Sequence, residues 1–61
     1  MPVIEITITN SSEETKRALI ERLTADAIEI TQIPASEFFV LIHELERENI
    51  GRAGRTCAIR S

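Results

Sequence analysis

The chain is poor in the residues that small proteins use as staples and that many enzymes use for chemistry: one cysteine, one histidine, two glycines, two prolines, two phenylalanines and no tryptophan or tyrosine. The lone Cys57 excludes an internal disulfide. With no Cys or His beside it at metal-ligand spacing, no metal site is expected, and a free thiol suits a reducing cytoplasm. No apolar run approaches the roughly 18 residues of a membrane span, and Met1-Pro2-Val3-Ile4-Glu5 lacks the basic and then apolar regions of a secretion signal. The expectation is a cytoplasmic protein with no membrane partner. Seven basic residues stand against ten acidic ones, a net charge of −3, with a pI near 5.0. This balance argues against nucleic acid, whose phosphates demand a basic surface. Walker-type and GxGxxG loops, HExxH, and a Ser-His-Asp arrangement are also missing, so no cofactor is expected.

What remains is a globular composition, 43% hydrophobic and 28% charged, in 61 residues. That length accommodates a single domain over residues 1–61. A domain this small buries only about 60% of the surface that its unfolded chain exposes. Without a staple, oligomerisation is the expected source of stability.

From Val3 to Thr9 the residues alternate, with Ile4, Ile6 and Ile8 on one face and Glu5, Thr7 and Thr9 on the other, as in a strand with one wet or subunit-facing side. Asn10-Ser11-Ser12 interrupts it, and Ser11 with Glu14 has the spacing of a capping box. A helix is expected from there. Leu19, Leu23, Ala27 and Ile30, with Ile20 beside them, form its apolar face. Pro34 ends the helix before it and biases Ile33 away from helical dihedrals. The run Phe38-Phe39-Val40-Leu41-Ile42 is apolar without alternation, the pattern of a strand covered on both faces, as in a parallel pair. Residues 49–55, punctuated by Gly51 and Gly54, read as a turn or short hairpin. The fold class is therefore α/β (α+β), a β-α-β protomer with a short C-terminal hairpin. One helix covers one sheet face, so another copy of the chain is expected to cover the second.

Few side chains present themselves for chemistry. His43 reads as a hydrogen-bonded strand histidine, and Cys57 as a small buried hydrophobe, since no flanking cation argues for a thiolate. Lys16 and Arg17 read as surface charges near the helix start. Pro2 differs. Removal of the initiator methionine is favoured before a small residue, and would leave a secondary amine whose ordinary pKa, about 7.7 to 8.0, falls in an apolar setting. Such a group is a neutral base at physiological pH, near the optimum for general-base work. A proline opening a strand also sacrifices no ladder hydrogen bond, so a purely structural reading is open too.

The sequence Met1-Pro2-Val3-Ile4-Glu5-Ile6-Thr7-Ile8, the capped helix with Glu13 to Ile20, the run Val40-Leu41-Ile42-His43-Glu44, and Asn49-Ile50-Gly51-Arg52-Ala53-Gly54 together resemble the 4-oxalocrotonate tautomerase family, in order and over almost the whole chain. The resemblance implies that Pro2 is a general base, moving a proton between the enol oxygen of a dienol acid and a distal carbon. It further implies two protomers sharing a four-stranded sheet, and a homo-oligomer, usually a hexamer built as a trimer of dimers. Family members hold substrate carboxylates with one arginine near the helix start and another early in the second strand. Here Asn10-Ser11-Ser12 and Phe39 occupy those places, and Ile50 stands where an aromatic residue is common. Arg52, in the turn that by resemblance approaches a neighbouring site, is the first candidate replacement, followed by Arg55 and Arg60. For each, a solvated surface arginine is the plainer alternative.

The leading expectation is thus an enol–keto tautomerase acting on a small 2-hydroxy-dienoate or related enol acid. Pro2 would be catalytic, Phe39 and Ile50 an apolar wall, and Arg52 a carboxylate ligand. A noncatalytic or diverged oligomeric binding module of the same fold is the alternative. A β-ribbon DNA-binding dimer ranks last, because Glu5 would face the phosphates.

Overall fold

The computed structural model describes residues 1–57. In chain order it comprises strand β1 (Val3–Thr9), helix α1 (Glu13–Thr31), strand β2 (Phe39–Leu45), and a hairpin of β3 (Gly51–Arg52) and β4 (Arg55–Thr56). Short 3-10 turns at Ala35–Glu37 and Arg47–Asn49 link them. β1 and β2 pair in parallel, from Val3 with Phe39 through to Thr9 with Leu45. The small α+β architecture, β-α-β followed by a hairpin, is the one the sequence leads to.

The helix starts one residue later than expected. Ser12, not Ser11, is the N-cap: its Oγ accepts the Thr15 amide at 3.1 Å, relieving one of the amides that the first turn leaves without partners. Ser11 is committed elsewhere. Its hydroxyl donates to the Thr9 carbonyl at 3.1 Å and its amide to Glu44 Oε2 at 3.0 Å, which turns the chain out of β1 and holds it against β2. Glu13 and Glu14 follow in the first turn, where carboxylates complement the positive end of the helix.

Helix α1 ends as expected before Pro34. Gln32 takes a left-handed conformation, φ 62°, and its amide returns to the Ile28 carbonyl at 2.8 Å. The apolar face differs in one position from the periodic pattern. Leu19, Leu23 and Ala27 are half-buried, but Ile30 is 81% exposed, while Ile28 is half-buried. Ile30 keeps the helical period of Leu19, Leu23 and Ala27, but it lies in the last turn of the helix, next to its end at Thr31.

α1 lies over one face of the two-stranded sheet. Ile4, Ile6, Ile8, Val40 and Ile42 point that way and are half-buried. The opposite face carries Val3, Glu5 and Thr7 beside Phe39, Leu41, His43 and Leu45, all exposed. The run from Phe38 to Ile42 therefore has one face covered within the chain and one open. Among the described residues no side chain is fully buried.

Two polar contacts tie the helix start and the sheet together. Lys16 Nζ meets Glu44 Oε1 at 3.1 Å, and Glu44 also accepts the Ser11 amide. The amide and the ammonium together hold the Glu44 carboxyl below its ordinary range. Arg17 and Glu13, at 3.8 Å, are an exposed i, i+4 pair and contribute little.

Two outcomes follow. Because the folded-state value of Glu44 is depressed, its contribution is present above the ordinary glutamate range, about pH 4.3, and is lost as pH falls through the lower folded value. Glu44→Gln should lower the thermal midpoint at pH 7 by a few degrees, with the gap to wild type closing as pH falls below the ordinary glutamate range, as followed by circular dichroism. Gln32→Gly should raise stability by about 0.5–1 kcal/mol in a denaturant titration, because glycine enters the left-handed region without the Cβ clash that glutamine bears.

Candidate active site

Pro2 sits immediately before β1, where its missing amide breaks no ladder bond. It is half-buried, and its carbonyl accepts the Phe39 amide at 3.1 Å. This bond extends the parallel ladder by one step, so the ring of Pro2 and the first residue of β2 are held side by side. The Met1 side chain is 82% exposed. While Met1 is present the Pro2 nitrogen is a tertiary amide with no basic lone pair. Removal of Met1 would leave that nitrogen a secondary amine at the end of the sheet.

Phe39 and Pro2 are thus brought together. The phenyl ring is 50% exposed and lies on the open face with Val3 and Leu41. Ile50 and Arg52 are elsewhere in the same chain. They follow the far end of β2, beyond a seven-residue ladder that spans roughly 20 Å. The Ile50 amide bonds the Arg47 carbonyl at 3.1 Å, and the Cys57 amide bonds the Ile50 carbonyl at 2.8 Å, which anchors the hairpin at that end. A single chain therefore does not unite the four residues singled out in its sequence. Pro2 and Phe39 can meet Ile50 and Arg52 only across two copies.

The hairpin itself has a two-residue connection, Ala53-Gly54, with φ 53° and 79°. Positive φ at both central positions is the backbone twist that suits a two-residue hairpin. Ala53 bears the Cβ strain of that conformation. Arg52 and Arg55 pair directly across the ladder, and both are exposed. Like charges at opposed positions repel, so the pairing itself does not stabilise the hairpin. Arg55 thereby joins Arg52, a pairing that the residue spacing announces only once the turn is known to have two residues. Arg60 lies outside the described residues.

His43 Nε2 lies 3.1 Å from Glu5 Oε2 in the middle of the open face. It is the hydrogen-bonded strand histidine expected, with Glu5 across the strands, not its neighbour Glu44, as its partner. Cys57 is free and half-buried. Among the described residues no cluster of three His, Cys, Asp or Glu side chains could hold a metal ion, and no helix is long and apolar enough to cross a membrane.

Known proteins share this arrangement. A family model described as tautomerase enzyme matches residues 2–59, so that the match begins at Pro2. A 2-hydroxymuconate tautomerase of Comamonas testosteroni is 38% identical over 55 residues, covering 88% of this chain and 87% of that protein. A probable tautomerase of Halalkalibacterium halodurans is 32% identical over 56 residues, covering 90% and 92%. Among solved structures, a heterohexamer 4-oxalocrotonate tautomerase from Chloroflexus aurantiacus superposes with a TM-score of 0.89, at 27% identity and 95% coverage of both chains. The fold, the position of Pro2 and these likenesses lead to one conclusion: the chain belongs to the tautomerase family, of the 4-oxalocrotonate tautomerase kind.

Proposed function

We propose that this protein is an enol–keto tautomerase acting on a small 2-hydroxy-dienoate or related enol acid. The observation that carries the reading is the position of Pro2: first residue of the family match, half-buried at the sheet end, its carbonyl locked to the Phe39 amide. In the processed chain the neutral Pro2 amine takes the enol proton. The O–H electron pair becomes the carbonyl π bond, the carbon–carbon double bonds shift along the chain, and the distal carbon takes the proton back from the ammonium. The net reaction moves one proton and consumes nothing, so the residues need no cofactor to complete it.

The amine needs an apolar surround to stay neutral, since burial disfavours the ammonium form. Phe39 supplies one wall, and Ile50 of a second copy would supply another while excluding water. Arg52 of that copy, with Arg55 opposite it, would hold the substrate carboxylate by charge-assisted hydrogen bonds. A site built this way requires an oligomer, for which the open sheet face and the heterohexamer relative both argue. A homohexamer, as a trimer of dimers, is the assembly proposed, in the cytoplasm.

One observation favours a second reading. Asn10-Ser11-Ser12 and Phe39 stand where the resemblance calls for carboxylate-binding arginines, and Ser11 and Ser12 are spent on the turn and the helix cap. A diverged small-molecule-binding member with the same fold would look like this.

Turnover separates the two. On protein whose Met1 removal is verified by intact mass, ketonisation of 2-hydroxymuconate and of phenylenolpyruvate should proceed above the solvent rate. Pro2→Ala should lose about 10²- to 10⁴-fold in kcat/KM, the usual worth of a positioned base. Processed wild type at background on both enols would favour the binding module. Arg52→Ala should raise KM by about tenfold or more with a smaller effect on kcat, because a carboxylate is held in ground state and transition state alike. An unchanged KM would remove Arg52 from the site.

A further inference from the structure

The open face of the sheet carries ionisable side chains at one place only. Val3, Thr7 and Thr9 of β1 and Phe39, Leu41 and Leu45 of β2 share it with one acid and one base, Glu5 and His43. The ladder sets Glu5 opposite Leu41 and Thr7 opposite His43, so the two are diagonal neighbours across the strands, and His43 Nε2 lies 3.1 Å from Glu5 Oε2. No other charged residue of β1 or β2 faces them. Helix α1 packs on the opposite side of the sheet, and Glu44, next to His43 in sequence, is turned to that side by Lys16 and the Ser11 amide. The hairpin with Arg52 and Arg55 packs against the turn at Arg47–Asn49 that follows β2.

Within one protomer both partners keep about half of their surface in water, with His43 50% and Glu5 60% exposed. Val3, Leu41 and Leu45 around them are 43%, 45% and 36% exposed, and in the proposed assembly a second copy covers them, as the likeness to a heterohexamer supports. Covering the face takes the pair out of water among side chains that offer it no hydrogen bond. A carboxylate buried without a countercharge is far more costly there than one whose charge is balanced. The pair is neutral overall when the imidazole is protonated and carries one negative charge when it is not, and imidazoles change charge between about pH 5 and 8. The like face of a second copy brings only its own Glu5 and His43, so the unbalanced charges add. From this juxtaposition we propose that the contact of Glu5 with His43 is a pH-sensitive device in the subunit interface, tightening assembly when the imidazole is protonated and loosening it as pH rises. The sign follows from linkage: the assembled form holds more protons than the separated subunits, so association weakens with increasing pH. The inference rests on the oligomeric reading of the site and adds its regulation, because a site that takes Pro2 from one copy and the hairpin from another is complete only when assembled.

Sedimentation velocity over a dilution series of processed protein, at about pH 6 and about pH 8, reads the dissociation constant on either side of the imidazole range. Where dilution does not separate the subunits, the urea concentration that does so on size exclusion takes its place. The wild-type constant should be larger at the higher pH by about tenfold. His43→Asn can still donate to Glu5 but never gains a charge, and should flatten the difference. Glu5→Gln leaves the imidazole as the one ionisable group on the face, and should invert the difference, with tighter association at the higher pH. A merely structural role for either side chain would move both values together and leave the pH dependence as it is. An amine at Pro2 also titrates near this range, but all three proteins share it and it cancels in the comparison. Circular dichroism establishes that each variant folds, and His43→Asn carries the test if Glu5→Gln does not. The proposal is overturned by wild-type association that is unchanged or tighter at the higher pH, by a His43→Asn dependence equal to that of wild type, or by a Glu5→Gln dependence of wild-type sign. A chain that is monomeric at both pH values overturns the oligomeric reading as well. An assembled protein that turns over enols through Pro2, yet whose association ignores His43, loses the switch and keeps the base.

Discussion

The parallel pairing of β1 with β2 governs the rest of this molecule. Seven register pairs starting from Val3 and Phe39 bring the N-terminal ends of both strands together, and the added bond from the Phe39 amide to the Pro2 carbonyl extends that pairing to the residue before β1. A parallel connection must cross over, and α1 is the crossover. Having one crossover, the sheet has one covered face. Everything else about the protein, including its need for partners and the placement of its polar groups, follows from the face left open.

That open face explains why a 61-residue chain with no disulfide and no fully buried side chain among those described can still be a folded domain. The apolar residues Val3, Phe39, Leu41 and Leu45 are exposed on one face, and in the proposed assembly another copy would cover them. The His43 and Glu5 contact lies among them, a polar pair that satisfies itself within one protomer before the face is covered. The same incompleteness divides the site. Pro2 and Phe39 belong to one end of the ladder, and Ile50, Arg52 and Arg55 to the hairpin beyond the other. On the proposed reading assembly and chemistry are coupled, because one protomer alone would hold a base without an anion-binding group.

Much of this was legible in the order of residues. The alternation of isoleucines from Ile4 to Ile8, the apolar run through Phe39 to Ile42, and Pro34 after an amphipathic stretch establish strand, helix and strand, and their order makes the pair parallel. Pro2 could be singled out from the chemistry of a terminal secondary amine. Other features were not legible. Ser12 and Ser11 offer equivalent hydroxyls, and only the reach of Glu44 from β2 decides that Ser11 serves the turn and Ser12 the cap. Glu44 itself looks like the end of a strand until Lys16 and the Ser11 amide converge on it from 28 and 33 residues away. Ile30 matches the helical period, yet it sits one residue before the helix ends at Thr31 and is 81% exposed.

What the sequence by itself determined is local: which segments alternate, where helix α1 stops, that the chain is too small and too unstapled to stand alone, and that Pro2 can become a base. These depend on side-chain period, on the geometry of proline and on the ionisation of an amine, none of which requires a partner distant in the chain. Tertiary structure alone decided the rest. The ladder register sets Phe39, and not Phe38, beside Val3 on the open face, with its amide on the Pro2 carbonyl. The two-residue turn sets Arg55 opposite Arg52. The length of the sheet keeps that pair away from the base of its own chain, because parallel strands begin together and the hairpin follows where they end.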